Sequence, residues 1–111
     1  MAGLTESTLA DIVDTVVKSV DPEQVYVFGS HARGEAGENS DLDLLIVERE
    51  GFGPTRSRRR EMTRIWRLLA PFRIPKDILV YSVDEVQRWR DGRNHVISHA
   101  LREGKLLYER P

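Results

Sequence analysis

Two apolar runs, residues 25–28 and 44–47, flank a polar stretch that opens on Gly29-Ser30 and closes on Ser40-Asp41-Leu42-Asp43. This segment limits the possible folds more than any other. Short runs of β-branched and aromatic residues bounded by Gly, Ser and Asp read as strands. Strand one is expected at 24–29 and strand two at 41–48. Side chains two apart in a strand share a face, so Asp41 and Asp43 project together and Leu42 turns away. Carboxylates that close repel each other unless something positive lies between them. Hard oxygen ligands suit Mg²⁺, which binds through one or two carboxylates plus substrate phosphates. A D-x-D pair alone, however, is common at strand ends and in loops.

The flanking sequence supplies a scaffold. Leu9, Ile12, Val13, Val16, Val17 and Val20 recur at helical spacing, which predicts an amphipathic helix over 5–20 with Thr5 as N-cap and Asp21-Pro22 as its end. A second helix is expected at 55–70, burying Met62, Ile65, Trp66 and Leu69. Residues 74–82 read as a third strand with Asp77 near its start. Ser82 and Glu85 form a capping box for a third helix. A fourth helix is expected at 94–102, ended by Gly104, with a short segment at 106–108 against the core. The pattern is that of a small α/β sheet with helices packed on it.

Composition fits one domain spanning 1–111, which would bury roughly two-thirds of its unfolded surface. Apolar residues make up 40% and charged residues 32%, which rules out a disordered tail. No apolar run approaches the ~20 residues needed to cross a bilayer. The sequence does not open on a basic-then-apolar leader, so a cytoplasmic setting is expected. There is no cysteine to form disulfides or thiolate metal sites, and the net charge of −1 does not imply nonspecific nucleic-acid binding.

Gly29, Ser30, Ala32, Arg33, Gly34, Ser40, Asp41, Asp43 and Leu44 fall at the spacing G-S-x-A-R-G-x5-S-D-x-D-L. The pattern resembles the signature of the DNA polymerase β-like nucleotidyltransferase superfamily and, within it, the minimal nucleotidyltransferase (MNT) group. The resemblance is sharpest over 25–47. It implies a small mixed β-sheet packed with α-helices, the polymerase β-like core. It makes Asp41, Asp43 and Asp77 the catalytic and metal-holding acids, with Asp77 as general base or ligand of a second metal. Asp84 competes for that third role, but it lies in a helix-opening sequence past the strand. Gly29, Ser30, Arg33 and Ser40 would surround the nucleotide. Gly29 would let backbone approach a phosphate, and the segment from His31 would open a short helix whose N–H groups favour an anion. Arg33 could contact phosphate or pair with an acidic neighbour. Ser40 also suits capping the turn into the aspartate strand, and His31 fills the variable position.

The implied cofactor is Mg²⁺, two ions by analogy, with ATP as substrate. Members of this group often pair with a HEPN-domain toxin in type VII-like toxin–antitoxin modules, where they transfer AMP to a tyrosine of the toxic RNase. That activity and that partner are therefore expected here. The alternatives are a catalytically idle antitoxin acting by binding alone, and a small-molecule transferase of the aminoglycoside-modifying kind.

Two features lie outside the motif. Arg56, Arg58, Arg59, Arg60, Arg64 and Arg67 crowd the second predicted helix with only Glu61 opposing them. A solvated face, a triphosphate clamp or a docking face for an acidic partner would each account for them; nucleic acid is a further candidate, but only Trp66 supplies an aromatic inside the cluster. Docking is favoured, because the charges point in more directions than one nucleotide can occupy and because Arg56, Arg60, Arg64 and Arg67 recur at helical spacing along one stripe, which suits an extended acidic surface. His95 and His99 are four apart, but no third metal ligand follows, so they are read as surface or interface residues.

Overall fold

The computed structural model describes residues 4–34, 36–37, 40–92 and 95–111. In chain order it contains α1 (Glu6–Val20), β1 (Gln24–Phe28), α2 (Ser30–Arg33), β2 (Leu42–Glu48), α3 (Arg58–Leu68), β3 (Lys76–Ser82), α4 (Val83–Trp89), α5 (Val96–Glu103) and β4 (Lys105–Glu109). Thr5 caps α1 by accepting the Thr8 N–H at 3.0 Å. The helix ends at Asp21, which takes φ 53° and donates its N–H to Val17 O.

The strands form one mixed sheet in the order β3-β2-β1-β4. β1 pairs antiparallel with β2 and β4, while β2 and β3 run parallel. The expected segment at 106–108 is thus part of an edge strand. Alternate residues of β2 serve two cores. Leu42, Leu44 and Ile46 pack with Ile12 and Val16 of α1 and Ile65 of α3. Leu45 and Val47 pack with Val86 of α4 and with Ile97 and Ala100 of α5. A strand covered on both faces reads as a continuous apolar run, as residues 44–47 do.

The second helix departs from expectation at both ends. It begins at Arg58 because Ser57 takes the N-cap, accepting the Arg60 N–H at 3.2 Å. Arg56 lies before it in a short bridge to Gly53. Trp66, expected in the core, is 54% exposed, whereas Glu61 is buried. The inward stripe therefore runs through Glu61, Ile65 and Leu69, and apolarity misplaced its edge by part of a turn.

The arginine cluster is also less free than its sequence suggests. Arg56 pairs with Glu48 and reaches Glu61 at 3.3 Å. Arg64 grips Glu61 bidentately at 2.8 and 2.9 Å. Arg58 pairs with Glu85 and donates to Val80 O at 2.7 Å, with its guanidinium 4.6 Å from the Tyr81 ring centroid. These contacts lock α3 onto the sheet instead of presenting one long basic stripe.

Within this network Glu48 Oε2 is buried without a hydrogen-bond partner among the described residues. Burial and the neighbouring Glu61 carboxylate push the Glu48 carboxyl up to about 7, against the opposing pull of Arg56. A carboxyl raised above its unfolded value stabilises the fold fully below the unfolded value of 4.5, and that contribution is lost as pH rises through about 7. Glu48→Gln mimics the protonated form. It should flatten the loss of stability across that window and add about 1–2 kcal/mol at pH 8. Urea denaturation of both proteins at pH 5 and pH 8 checks this, and an equal difference at the two pH values would contradict it.

His95 is half-buried and acts as the N-cap of α5, its Nδ1 accepting the Ile97 N–H at 3.1 Å. Its ring stacks on Trp89 at 4.6 Å, so it is a packing residue, whereas His99 is exposed. The predicted helix start at Asn94 lies outside the described residues. Among the described residues no helix is long and apolar enough to cross a membrane.

Candidate active site

Parallel pairing of β2 with β3 places Asp43 opposite Asp77 in register. Asp43 shares strand parity with Leu45 and Val47, and Asp77 shares it with Leu79 and Tyr81, so both acids belong to the α4/α5 side of the sheet. Asp43 also pairs with Phe28, the last residue of β1. There the chain turns at Gly29, with φ 72° and ψ −152°.

Gly29 is required for two reasons. An L side chain is strained at that φ. A Cβ added there would also lie 3.2 Å from Asp43 Cγ and overlap its Oδ2. The motif pairs Gly29 with a phosphate, and nothing local in it signals this closer neighbour. The missing side chain leaves room beside the Asp43 carboxylate. α2 follows directly, with the Ala32 and Arg33 N–H groups donating to Gly29 O at 3.1 Å, and it stops at Gly34 with φ 73°. Ser40 Oγ accepts the Gly37 N–H at 2.9 Å, so its hydroxyl shapes the turn into β2. The Leu42 N–H then donates to Pro75 O at 2.8 Å, tying that turn to the approach of β3.

Asp41 lies one residue ahead of β2 and is exposed, as is Asp77; Asp43 is half-buried. The acids are therefore less enclosed than a paired D-x-D strand suggests. The Asp43 carboxyl is raised above its ordinary value by burial, then by the charges of Asp77 and Asp41; His31 and Arg33 pull it back. His31 Nε2 lies 3.3 Å from Ser40 O. Arg33 reaches Glu103 of α5 at 3.2 Å, the acidic-neighbour alternative. Asp84 sits in the first turn of α4, separated from Asp77 by nearly the whole of β3.

Among the described residues no three His, Cys, Asp or Glu side chains converge closely enough to hold a metal ion as they stand. The chemistry nonetheless suits a hard cation. The donors are carboxylate oxygens, the space beside Asp43 is one that a Cβ at Gly29 would fill, and Asp43 is destabilised as an anion by burial and then by its acidic neighbours.

This predicts a pH-dependent metal effect. Because its folded-state value is raised, Asp43 stabilises the fold only at low pH, and that contribution is lost as pH rises through its raised value. A cation would restore stability only where Asp43 is ionised. Adding Mg²⁺ should raise the melting temperature at pH 7, by about 4–8 °C per kcal/mol of binding. The gain should vanish as pH falls through the carboxylate range. Thermal melts with and without Mg²⁺ measure it, and a gain independent of pH would contradict the assignment.

Residues 10–111 match the model of the family described as polymerase beta, nucleotidyltransferase. The chain belongs to that family. A candidate protein adenylyltransferase of Methanocaldococcus jannaschii is 32% identical over 75 residues, 60% of this chain and 74% of that protein. A candidate nucleotidyltransferase structure from Sulfolobus solfataricus superposes with TM-score 0.63 at 27% identity, over 92% of this chain and 78% of that one. A candidate minimal nucleotidyltransferase gives TM-score 0.58 at 27% identity, over 90% and 92%. The MntA–HepT toxin–antitoxin complex shares the fold, with TM-score 0.59 at 15% identity over 96% and 74%. The chain is thus a nucleotidyltransferase with a polymerase beta-like fold.

One neighbour of the candidate acids escaped the motif. Asp77 lines a depression of about 230 Å³ with Met62, Thr63, Trp66, Lys76 and Ile78. The misplacement of Trp66 in the sequence pattern hid this contact.

Proposed function

We propose that this nucleotidyltransferase moves AMP from ATP onto a protein hydroxyl, a tyrosine of a HEPN-type toxin, and so acts as that toxin's antitoxin. The observation that carries the reading is the register pairing of Asp43 with Asp77 beside the bare Cα of Gly29. Gly29, Ser30 and the first N–H groups of α2 cradle the β and γ phosphates. Arg33 and Ser40 hold the loop around them. Asp41 and Asp43, with Asp77, would hold Mg²⁺, two ions in the fuller version. When bound, the metal neutralises triphosphate charge and polarises the α-phosphorus. Asp77 accepts the proton of the attacking hydroxyl. The new bond joins the acceptor oxygen to the α-phosphorus, the bond to the β-phosphate oxygen breaks, and pyrophosphate leaves. A protein acceptor is supported by what the M. jannaschii relative is named for, and a toxin partner by the MntA–HepT likeness and the MNT pattern of the motif.

The wide setting of the three acids favours a second reading, an antitoxin that neutralises by binding alone. One experiment separates the two. The chain is incubated with a HEPN-domain partner, ATP and Mg²⁺, and the partner's intact mass is measured. A gain of one or more AMP groups is expected. A stable complex with no mass change would replace transfer by binding.

A further inference from the structure

Of the six arginines at 56–67, Arg56, Arg58 and Arg64 are spent on Glu48, Glu61 and Glu85. Arg59, Arg60 and Arg67 are exposed, and their side chains have no partner among the described residues. They line one depression on α3 together with Thr63. Thr63 also lines the depression that holds Trp66 and Asp77. One surface thus runs from the Asp77 backbone at the edge strand β3, past Trp66, to three guanidinium groups without a partner among the described residues, with the Asp77 carboxylate around that edge on the α4/α5 side. Trp66 is 54% exposed, covered only in part by Lys76, whose Nζ lies 5.9 Å from the ring centroid. Lys76 is itself tethered to Phe72 O and Ile74 O at 2.8 and 2.9 Å.

We propose that this face docks the acceptor protein, and that the docked segment is acidic. Carboxylates flanking the acceptor hydroxyl would meet Arg59, Arg60 and Arg67. An aromatic side chain would pack on Trp66, and the hydroxyl would reach Asp77 around the open edge of β3. The inference rests on the AMP-transfer reading and adds to it the surface and the charge of the acceptor. Charge complementarity carries it: three unpaired cations beside one aromatic anchor match an acidic peptide. An exposed Trp and Arg are the residues that most often dominate binding surfaces. Single-stranded nucleic acid wants successive stacking platforms, and this face offers one.

The test uses a fluorescein-labelled random copolymer of glutamate and tyrosine, with binding followed by anisotropy. ATP binding is measured separately by calorimetry with Mg²⁺. The variants are Arg59→Glu with Arg67→Glu, Trp66→Ala, and Arg88→Glu as a control on α4, across the sheet. Circular dichroism confirms that each folds. At low salt the double reversal should weaken copolymer binding by roughly tenfold or more, a difference that shrinks as salt screens it. Trp66→Ala should weaken binding by roughly threefold to tenfold at any salt. Arg88→Glu should change little, and ATP affinity should hold in all. Copolymer binding that survives the double reversal, or falls equally with Arg88→Glu, would overturn the proposal. So would displacement of the copolymer by polyadenylate RNA at lower concentration than by polyglutamate, which would mark a nucleic-acid surface. Loss of ATP binding by the unaltered chain would instead sink the transferase reading, because the copolymer titration does not involve ATP.

Discussion

Asp43→Asn is expected to lower nucleotidyl transfer by roughly 10³-fold or more while leaving the fold standing. The amide matches the carboxylate in shape but cannot neutralise a cation or serve as a strong anionic ligand. Burial and the charges of Asp77 and Asp41 all disfavour the ionised Asp43 side chain. Removing its charge should therefore leave the metal-free protein at least as stable as before, and the Mg²⁺-dependent rise in melting temperature should be lost. A transfer assay with labelled ATP and paired thermal melts read both effects. Near-normal transfer would refute the metal assignment. Lost activity with a lowered metal-free melting temperature would recast Asp43 as a structural residue.

Gly29→Val should be nearly as damaging, for a different reason. The backbone there has φ 72°, and an added Cβ would overlap Asp43 Oδ2. Strain of that kind costs about 1–3 kcal/mol, and displacing the carboxylate should reduce transfer by roughly 10²-fold or more. A milder pair separates the two causes. Gly29→Ala should destabilise the protein less when Asp43 is also replaced by Gly, since the steric partner has gone and only the φ penalty remains. If the alanine costs the same in both backgrounds, Asp43 has moved aside and the overlap is not real. Urea denaturation of the four proteins supplies the comparison.

Most strands and helices of this chain could be read from local chemistry. Thr5 and Ser82 with Glu85 mark helix starts through hydrogen bonds to near neighbours, and both mark them in the structure, while Gly104 ends α5 where a side chain would crowd Ala100 O and the distant Val27 O. The pairing motif at 25–47 is local for the same reason: a strand, a glycine turn, a short helix and a second strand are each declared by their own residues. Trp66 shows the limit. Helical spacing gives a stripe but not its rotation, and Trp66 lies one step outside the stripe that α3 buries. Glu61 has its cations close in sequence, Arg64 three residues on and Arg56 five back, but which way α3 turns them is set by packing; the burial of Glu48 depends on Arg56 across a loop.

Local residue chemistry was enough to declare the family, the two strands of the motif, the glycine turn and the candidate acids. These are patterns of residue type over short separations, where backbone geometry leaves little choice. The tertiary structure decided what the acids face. Parallel pairing across a helical connection put Asp77 beside Asp43, and the close approach of Gly29 to that carboxylate follows from the turn closing over β2. It also divided the arginines into those that fasten α3 and those left to solvent. Such a division depends on which carboxylates arrive from distant strands and helices, and charge pairing through space leaves no period in the sequence.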